Sequence, residues 1–332
     1  MKVLLESRVF YPSIGGLEKV SQQLAEKWTK MGHDVRILSQ TPLGNADPLT
    51  GLNVIRRPSL AEWRAYLQWA DLFVQSGISL KSLPLALAVR KPVVFIHHNM
   101  LPITADSIGA RMILKRWAAR LGHNIAVSRA VAADLPNKKT SVIYNLFSPS
   151  FIDNGASRDQ HTLLFVGRLV SVKGADVAFK ALSILPGKYK LILCGDGPDR
   201  EFLEKLAGEL QLSDRVEFKG WVTPQELNKI AQRAVLQIIP SRYEPFGIVA
   251  LEAIASGCSV VASKTGGLPE AVGPCGILVE PDNPGALADG IIEAIGKRDE
   301  LISFRQEHLK YFKIDRIAEQ YINVFKQVVS ND

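Results

Sequence analysis

Short apolar runs alternate with longer segments of helical periodicity along the chain. In the first part of the sequence, runs rich in Val, Ile and Leu predict strands of a parallel sheet, because strands covered on both faces are almost continuously apolar. These runs are Val35–Leu38, Leu72–Val74, Val93–Ile96, Ile125–Val127 and Val142–Tyr144. Between the runs, the segment Leu17–Met31 carries apolar side chains at four-residue steps, which predicts an amphipathic helix.

A polar segment rich in loop formers at 146–161 interrupts the alternation and predicts a linker. A second series of predicted strands follows it, at Leu163–Val166, Leu191–Cys194, Val216–Phe218, Leu236–Ile239, Val260–Ala262 and Ile277–Val279. Helices are predicted at 174–185, 199–210, 224–233, 247–256 and 284–296. This pattern on both sides of a linker predicts an α/β protein with two parallel sheets covered by helices and a cleft between them. Ligands of such sheets bind in the loops that follow the strands.

The composition is that of an ordinary globular protein. The 332 residues suffice for two domains, and 47% hydrophobic with 22% charged residues excludes disordered and fibrous classes. The start, Met1–Glu6, meets a charge after three apolar residues, unlike a secretory signal. The apolar runs fall short of the roughly 18 residues that span a bilayer. With only three cysteines, none at metal-ligand spacing, a disulfide framework is not expected. We therefore expect a cytoplasmic protein.

The charge is unevenly distributed between the two halves. Residues 1–150 carry a balance of +10 and the remainder −3, which together give the net charge of +7. A basic first half indicates that it faces an anionic partner. Nucleic acid and a membrane surface are the two candidates at this point.

Three glycine-containing loops follow predicted strands. They are Gly15-Gly16, Gly195–Pro198 and Thr265–Pro269. Glycine lets a phosphate approach the backbone at a helix N-terminus, but it is equally typical of a tight turn between strand and helix. None of the loops fits the dinucleotide fingerprint or the P-loop, which disfavours a nicotinamide dehydrogenase and a P-loop kinase.

Two cations lie in the loop after the Leu163–Val166 run. Arg168 can fork onto phosphate oxygens while Lys173 acts as a point charge, a combination that suits a diphosphate. The alternative is that both are solvated surface charges.

Two carboxylates flank the start of the predicted helix 247–256. Glu244 precedes the helix and Glu252 lies two turns along it, so the eight-residue separation corresponds to about 12 Å of helical rise. The pair is too far apart for adjacent acid and base roles, but it could grip two hydroxyl-bearing parts of one long ligand. Glu252 is set among apolar residues and needs a partner, for which a structural ion pair is the alternative explanation.

These motifs, in this order, resemble the retaining glycosyltransferases of glycosyltransferase family 4, which have the GT-B fold of two Rossmann-like domains. The most specific motif is the pair Glu244 and Glu252, set in Pro-Ser-Arg-Tyr-Glu-Pro-Phe-Gly. The sequences at 166–174, 194–198 and 266–272 support it in register. The resemblance covers nearly the whole chain and implies an enzyme that transfers a sugar from a nucleotide-diphosphate donor, as bacterial enzymes of polysaccharide and lipid-linked glycan synthesis do.

The resemblance implies a role for each matching residue. Arg168 and Lys173 hold the diphosphate and stabilise the charge that develops as the glycosidic bond breaks. Glu244 accepts hydrogen bonds from donor-sugar hydroxyls, and Glu252 binds the ribose. The other implied donor-binding residues are Gly15, Gly16, Gly195, Trp221, Val222, Phe246, Gly247 and Ile248. Catalytic roles fall to His98, Arg168, Lys173 and Glu244.

The assignment of the histidine involves a choice between neighbours. His97 and His98 end the run that starts at Val93, and Asn99 replaces the Asp that commonly follows the family's histidine. We align His98 with the family residue that contacts the donor sugar. Adjacent strand residues point to opposite faces, so only one of the two histidines is expected to reach the site.

The resemblance also implies the domain limits and the reaction. A first domain of 1–147, with a returning C-terminal segment 313–332, is expected on the acceptor side, and 148–312 is expected to bind the donor. No metal or other cofactor is expected, since the sequence has no Asp-x-Asp and no clustered His and Cys set. Retention is implied, and no carboxylate is placed as a nucleophile, so same-face attack assisted by the leaving phosphate is the hypothesis. The first candidate donor is UDP-glucose, and the acceptor is a glycan or a lipid-linked molecule read by loops such as 42–52 and 99–107.

The segment Ser107–Leu121 combines cations with an opposing apolar stripe that includes Trp117. Its basic residues are Arg111, Lys115, Arg116 and Arg120. Such a helix suits an anionic membrane surface and favours a peripheral location on the inner face of the plasma membrane. A helix that packs its apolar stripe on the sheet is the alternative.

Two other functions remain open at this stage. A sugar-nucleotide 2-epimerase shares the fold and acts on the donor without an acceptor. A non-catalytic module that binds nucleotide sugars is the second alternative. Nucleic acid is not expected as a partner, because the aromatic residues are scattered rather than grouped with basic ones.

Overall fold

The chain folds into two domains, each built around its own sheet. The computed structural model describes residues 1–13, 15–101, 109–136 and 139–331. Met1–Leu146 and Lys313–Asp332 form the first domain, and Phe147–Phe312 forms the second. The first boundary falls one residue before the predicted one.

The first domain contains a parallel sheet. Among the described residues, its seven strands are β1 (Lys2–Glu6), β2 (Asp34–Ser39), β3 (Asn53–Arg56), β4 (Leu72–Ser76), β5 (Val93–His97), β6 (His123–Ala126) and β7 (Thr140–Val142). They lie in the order β3-β2-β1-β4-β5-β6-β7, so the strand order reverses between β1 and β4. In open sheets of this kind, ligands bind beyond the carboxyl ends of the strands at the reversal. Glu6 and Gln75 are register partners at that end.

Helices on both sides of this sheet complete the first domain. They are α1 (Gly16–Lys30), α2 (Leu60–Trp69), α3 (Leu83–Ala88), α4 (Ala110–Ala118) and α5 (Arg129–Asp134). The predicted four-residue periodicity of α1 holds, because Val20, Leu24 and Trp28 are buried. A capping box between Ser59 and Glu62 begins α2 and satisfies backbone N–H groups of its first turn.

The second sheet is also parallel. Within the described ranges it has six strands, which are β8 (Asp159–Val166), β9 (Lys190–Cys194), β10 (Val216–Gly220), β11 (Ala234–Ile239), β12 (Ser259–Ser263) and β13 (Gly276–Val279). Their order is β10-β9-β8-β11-β12-β13, with the reversal between β8 and β11. Every residue of β11 is buried, as expected for a central strand covered on both faces.

The helices of the second domain follow its strands in alternation. They are α6 (Ala175–Ile184), α7 (Arg200–Glu209), α8 (Pro224–Arg233), α9 (Ile248–Ala255), α10 (Leu268–Val272), α11 (Pro284–Gly296), α12 (Arg298–Ser303) and α13 (Arg305–Leu309). Short 3-10 turns lie at Ala119–Leu121, Ser171–Lys173, Gly273–Cys275 and Lys310–Phe312. The three cysteines of the chain are buried free thiols.

The last helix, α14 (Ile314–Ser330), belongs to the first domain. The ring centroid of Trp28 lies 5.5 Å from that of Tyr321 and 5.2 Å from that of Phe325. An ion pair between Lys27 and Asp315 joins the same two helices. Buried aromatic contacts therefore fix the returning segment to α1.

Several predicted bounds are wrong. The strand predicted at Val142–Tyr144 forms two residues earlier, and the last residues of the predicted linker 146–161 belong to β8. The remaining linker is held on the second domain, because Arg158 donates hydrogen bonds to the carbonyl oxygens of Ala231 and Ser256. Residues 146–158 therefore form a loop, as the sequence indicates, but the loop is fixed to the second domain by main-chain contacts that a polar composition does not reveal.

The prediction did not identify β3, α2 or α3, which are short or bury few side chains. The helix predicted from Ser107 is described from Ala110 onward, and residues 102–108 lie outside the described residues. Within the described ranges, no helix has both the length and the apolar character to cross a membrane.

Candidate functional site

An ion pair joins two loops at the strand reversal of the second domain. Nζ of Lys173, in the loop between β8 and α6, lies 2.5 Å from Oε2 of Glu244, in the loop between β11 and α9. Both side chains are largely shielded from solvent, with exposed fractions of 28% and 12%. The structure therefore brings together the predicted cation and the predicted carboxylate.

Arg168 precedes Lys173 in the same loop and is exposed. Among the described residues its guanidinium forms no ion pair, so its donors face solvent at the end of β8. An unpaired guanidinium next to a partly buried ammonium can bind an anion without first breaking a protein contact of its own.

Arg242 holds the loops of this ion pair in position. Its guanidinium donates to both carboxylate oxygens of Asp176, at 2.9 and 2.7 Å, and pairs with Asp282 at 2.8 Å. Its backbone N–H also donates to the carbonyl oxygen of Val172 at 2.9 Å. The hydrogen bonds that Arg242 donates to Asp176 raise the pKa of Arg242 above its already high value. Arg242 thus links α6, the loop before Glu244 and the loop after β13. The sequence analysis missed this role, although Arg242 lies within the most specific motif.

Glycines allow the loop of Glu244 to touch its neighbour. Gly266 has a φ of +54°, and a Cβ there would collide with the carbonyl oxygen of Glu244. That same oxygen accepts a hydrogen bond of 2.9 Å from the N–H of Gly267. Gly247, with a φ of +103°, is the N-cap residue that precedes α9. The glycines therefore serve close backbone packing, which in turn fixes the carboxylate.

The loop that contains Gly195 packs on the loop that contains Arg168. The N–H of Gly167 donates to the carbonyl oxygen of Cys194 at 3.0 Å, and that of Leu169 donates to Asp196 at 3.0 Å. A Cβ on Gly195 would collide with the carbonyl oxygen of Gly167. The structure therefore explains Gly195 by tight packing between the two loops. A contact between Gly195 and a phosphate stays a prediction.

The other donor-binding residues predicted in the second domain follow β10 or β11 in the chain. Trp221 follows β10 and is 70% exposed, and Val222 beside it is half-buried. Phe246 is buried against Phe312, with ring centroids 5.9 Å apart, so its ring is part of the core. Ile248 begins α9, and Glu252 is half-buried two turns along it, in contact with other residues of the chain.

The two histidines of the first domain have different environments. Nε2 of His97 donates to Oδ1 of Asn124 at 2.7 Å, and burial lowers the pKa of His97 to about 4. His98 follows β5, and its Nε2 lies 3.0 Å from Oγ of Ser76 at the end of β4. Nδ1 of His98 is buried without a hydrogen-bond partner in the described part of the chain. Burial also lowers the pKa of His98 to about 4, so both rings are neutral near pH 7. His97 is a satisfied core residue, whereas His98 retains an unused ring nitrogen.

Gly15 and Gly16 lie where the sequence predicts a strand–helix turn, with Gly15 capping α1. The carboxylate of Glu18 fills the space next to Gly15, and a Cβ on Gly15 would collide with it. An acidic side chain at a helix N-terminus satisfies the positive end of the helix, so it competes with any phosphate there.

Comparison with known proteins decides the family. Residues 14–151 match the model described as Glycosyltransferase Family 4, and residues 149–310 match Glycosyl transferases group 1. A glycogen synthase of Mycobacterium tuberculosis is 30% identical over 88% of this chain and 85% of its own. The chain belongs to glycosyltransferase family 4.

The transferase is also similar to an uncharacterized glycosyltransferase of Methanocaldococcus jannaschii, with 28% identity over 98% of each chain. Its fold matches that of Anabaena HepE, solved in complex with UDP-glucose, with a TM-score of 0.80. The identity to HepE is 21%, over 98% of this chain and all of that one. The predicted GT-B fold and the predicted glycosyltransferase class are therefore confirmed.

We expect Gly266→Ala to destabilise the transferase. A left-handed backbone at a residue with a Cβ costs about 1–2 kcal/mol, and overpacking against the carbonyl of Glu244 adds typically 1–3 kcal/mol. Urea unfolding followed by circular dichroism measures the loss. Gly187→Ala is the matched control, because a Cβ at Gly187 has no neighbour within 4 Å. Equal stability of the two variants would contradict the described contact between the loops.

Proposed function

We propose that the transferase moves a hexosyl group from a uridine diphosphate sugar, with UDP-glucose as the first candidate, to a hydroxyl of a glycan or lipid-linked acceptor during synthesis of a cell-surface polysaccharide. The observation that carries the proposal is the meeting of Lys173 and Glu244 at the strand reversal, with Arg168 exposed on the same loop. The two cations suit the phosphate end of a ligand, and the carboxylate next to them suits hydroxyl groups at its other end.

The diphosphate is the part of the donor that Arg168 and Lys173 fit. A guanidinium binds two phosphate oxygens at once, and an ammonium adds a compact positive charge. As the bond between sugar and phosphate breaks, negative charge grows on the leaving diphosphate, and fixed cations stabilise it without reorganising. We propose that these two side chains do this without a metal ion.

The sugar is the part that Glu244 fits. Its carboxylate is an acceptor for hydroxyl donors, and the contacts of Gly266 and Gly267 with its backbone fix its position before the donor arrives. In the structure, Nζ of Lys173 donates a hydrogen bond to this carboxylate. When the donor binds, its phosphates and hydroxyls share these two partners. The ion pair therefore holds both groups in a nearly productive arrangement.

The nucleoside of the donor is proposed to contact Trp221 through its base and Glu252 through its ribose. The exposed ring of Trp221 offers an apolar surface next to β10, where the base is proposed to lie. Glu252, two turns along α9, is proposed to bind the ribose hydroxyls. UDP-glucose is preferred because HepE, which shares the fold, was solved with that ligand.

Retention of configuration is the proposed stereochemical course. The acceptor hydroxyl attacks on the face from which the diphosphate departs, and the departing phosphate oxygen takes its proton. The anomeric configuration of the product, read from its proton NMR coupling constants, tests this course. A trapped glycosyl–enzyme adduct would contradict it.

Loss of charge at Lys173 is expected to abolish most of the activity. Lys173→Gln removes a group that stabilises the transition state, so we expect kcat to fall roughly 100-fold or more, by analogy with loss of one oxyanion-stabilising donor. The assay is release of UDP from UDP-glucose in the presence of candidate acceptors, together with analysis of the sugar.

Lys180→Gln is the matched control, because Lys180 is a half-exposed lysine on α6 whose nearest carboxylate, Asp176, is 4.0 Å away. Equal activity of both variants would contradict the assigned role of Lys173. An isomerised donor formed without acceptor would replace the transferase proposal with the epimerase.

A membrane surface is the second part of the proposal. The exposed large apolar residues of α4 and the turn after it are Ile113 (56%), Leu114 (52%), Trp117 (56%) and Leu121 (37%). Their exposure favours the membrane-surface interpretation of this helix over the one in which the stripe packs on the sheet. Arg116 instead turns inward and donates to the carbonyl oxygens of Leu101 and Asp134. Together with the +10 charge balance of residues 1–150, this stripe favours docking on an anionic bilayer.

We expect Ile113→Ser/Trp117→Ser to weaken binding to phosphatidylglycerol vesicles. Two large side chains that would insert into the interface are lost, and vesicle co-sedimentation measures the bound fraction. Ile184→Ser/Phe202→Ser is the control, since Ile184 and Phe202 are similarly exposed in the second domain. Absence of binding by the unmodified protein would eliminate the docking proposal.

A further inference from the structure

Three polar side chains form a chain of contacts from α1 through β4 to His98 in the first domain. Oγ of Ser21, on α1, lies 3.5 Å from Oγ of Ser76, the last residue of β4. Oγ of Ser76 in turn lies 3.0 Å from Nε2 of His98, which directly follows β5. Ser21 and His98 are buried, and Ser76 is half-buried.

The chain of contacts stops at Nδ1 of His98. This atom is buried and has no hydrogen-bond partner in the described part of the chain. Only 8% of the surface of His98 is exposed, so the ring is removed from bulk solvent. A buried polar atom without a partner costs free energy, which a ligand that supplies the missing hydrogen bond would recover. The unpaired nitrogen therefore indicates a ligand contact.

The adjacent histidine shows how the same sheet holds a ring that has a structural role. Nε2 of His97 lies 2.7 Å from Oδ1 of Asn124, and Nδ2 of Asn124 donates to the carbonyl oxygen of Ala119 at 2.9 Å. Of these two histidines, only His98 has a buried ring nitrogen without a partner among the described residues. The missing contact is therefore specific to His98.

His98 follows the strands at the end of the first sheet where ligands are expected. Ser76 and Ile96 are register partners near the carboxyl ends of β4 and β5. β4 is one of the two strands between which the strand order reverses. Because open parallel sheets bind ligands beyond this end, the unpaired nitrogen belongs to a residue that a substrate can reach.

The contact with Ser76 determines which ring nitrogen of His98 carries the proton. Burial lowers the pKa of His98 to about 4, so near pH 7 the ring is neutral and has one donor and one acceptor nitrogen. Ser76 has a single hydroxyl proton, and Nε2 of His98 is a closer acceptor for it than Oγ of Ser21. When Ser76 donates to Nε2, the ring proton is on Nδ1.

We propose that Ser76 is a positioning residue, which donates to Nε2 of His98 and so directs the N–H of Nδ1 to a hydroxyl oxygen of the transferred sugar. The inference rests on the proposed function and on the sugar contact that the family resemblance implies for His98. It adds the residue that fixes the ring, the tautomer, and the atom that makes the contact. A side chain that binds substrate needs its own orientation held by such a hydrogen bond.

Nitrogen NMR tests the tautomer without any substrate, in protein whose histidines carry the NMR-active nitrogen isotope. The protonated and unprotonated nitrogens of a neutral imidazole have well-separated chemical shifts, and His98→Gln identifies the signals of His98. We expect the proton on Nδ1 near pH 7, and we expect Ser76→Ala to shift Nε2 and mix the two tautomers. A proton on Nε2 in the unmodified protein, or an unchanged His98 spectrum in Ser76→Ala, would overturn the proposal.

Ser141→Ala is the matched control, because Oγ of Ser141 lies 2.9 Å from Nε2 of His123 in the same domain. This change removes a serine–histidine contact of similar length, so it should alter the signals of His123 and leave those of His98 unchanged. Ser76→Thr retains the hydroxyl group and is expected to retain the tautomer of His98. Changes at His98 of equal size in Ser76→Ala and Ser141→Ala would contradict the proposal.

Isothermal titration with UDP-glucose and with UDP tests the contact between the ring and the sugar. Ser76→Ala is expected to weaken UDP-glucose binding on the order of fivefold, because the hydrogen bond from Nδ1 loses its fixed direction. The affinity for UDP, which lacks the hexosyl group, is expected to stay unchanged. Ser76→Thr and Ser141→Ala should retain both affinities. Equal losses for the two ligands in Ser76→Ala would indicate a merely structural role and overturn the proposal.

The two measurements also separate this inference from the proposed function. Normal UDP-glucose binding by Ser76→Ala contradicts the inference and leaves the donor site intact. If UDP-glucose does not bind the unmodified protein, the proposed donor fails, and the sugar contact of Nδ1 fails with it. The tautomer of His98 still decides, in that case, whether Ser76 positions the ring.

Discussion

The ion pair between Lys173 and Glu244 is the interaction on which the proposed donor site depends. It joins the loops that follow β8 and β11, the two strands between which the order of the second sheet reverses. Shielding both charges from water costs free energy that their attraction offsets, so the pair contributes less through stability than through position. Its function in this account is to keep a cation and a carboxylate next to each other until the donor supplies a phosphate for one and hydroxyls for the other.

Packing between the neighbouring loops fixes the position of this ion pair. Arg242 ties the loop before Glu244 to Asp176 and Asp282, and Gly266 lets the neighbouring loop touch the carbonyl of Glu244. Rigid loops place charged groups before the reaction, which is the condition for electrostatic stabilisation of a transition state. In the first domain, by contrast, the large apolar side chains of α4 face solvent.

Much of this fold could be predicted from the sequence, because the patterns that indicate it are formed by residues close together in the chain. Continuous apolar runs identify central strands such as β11, and the spacing of Glu244 and Glu252 identifies the family. Short elements such as β3 were missed because few of their residues are buried. The contact of Gly266 with Glu244 could not be predicted, because the two residues are remote in the chain and meet only in the folded domain. The sequence indicates a turn at Gly266 but not the residue that it contacts.

The most direct test compares the affinities of Glu244→Gln for UDP and for UDP-glucose by isothermal titration calorimetry. The account predicts a loss of affinity for UDP-glucose on the order of tenfold, because a charged acceptor of the sugar hydroxyls is lost. No loss is expected for UDP, since UDP lacks the hexosyl group that Glu244 is proposed to bind and the change frees Lys173 for phosphate. Equal losses for the two ligands, or no loss for UDP-glucose, would contradict the division of the site into a phosphate end and a sugar end.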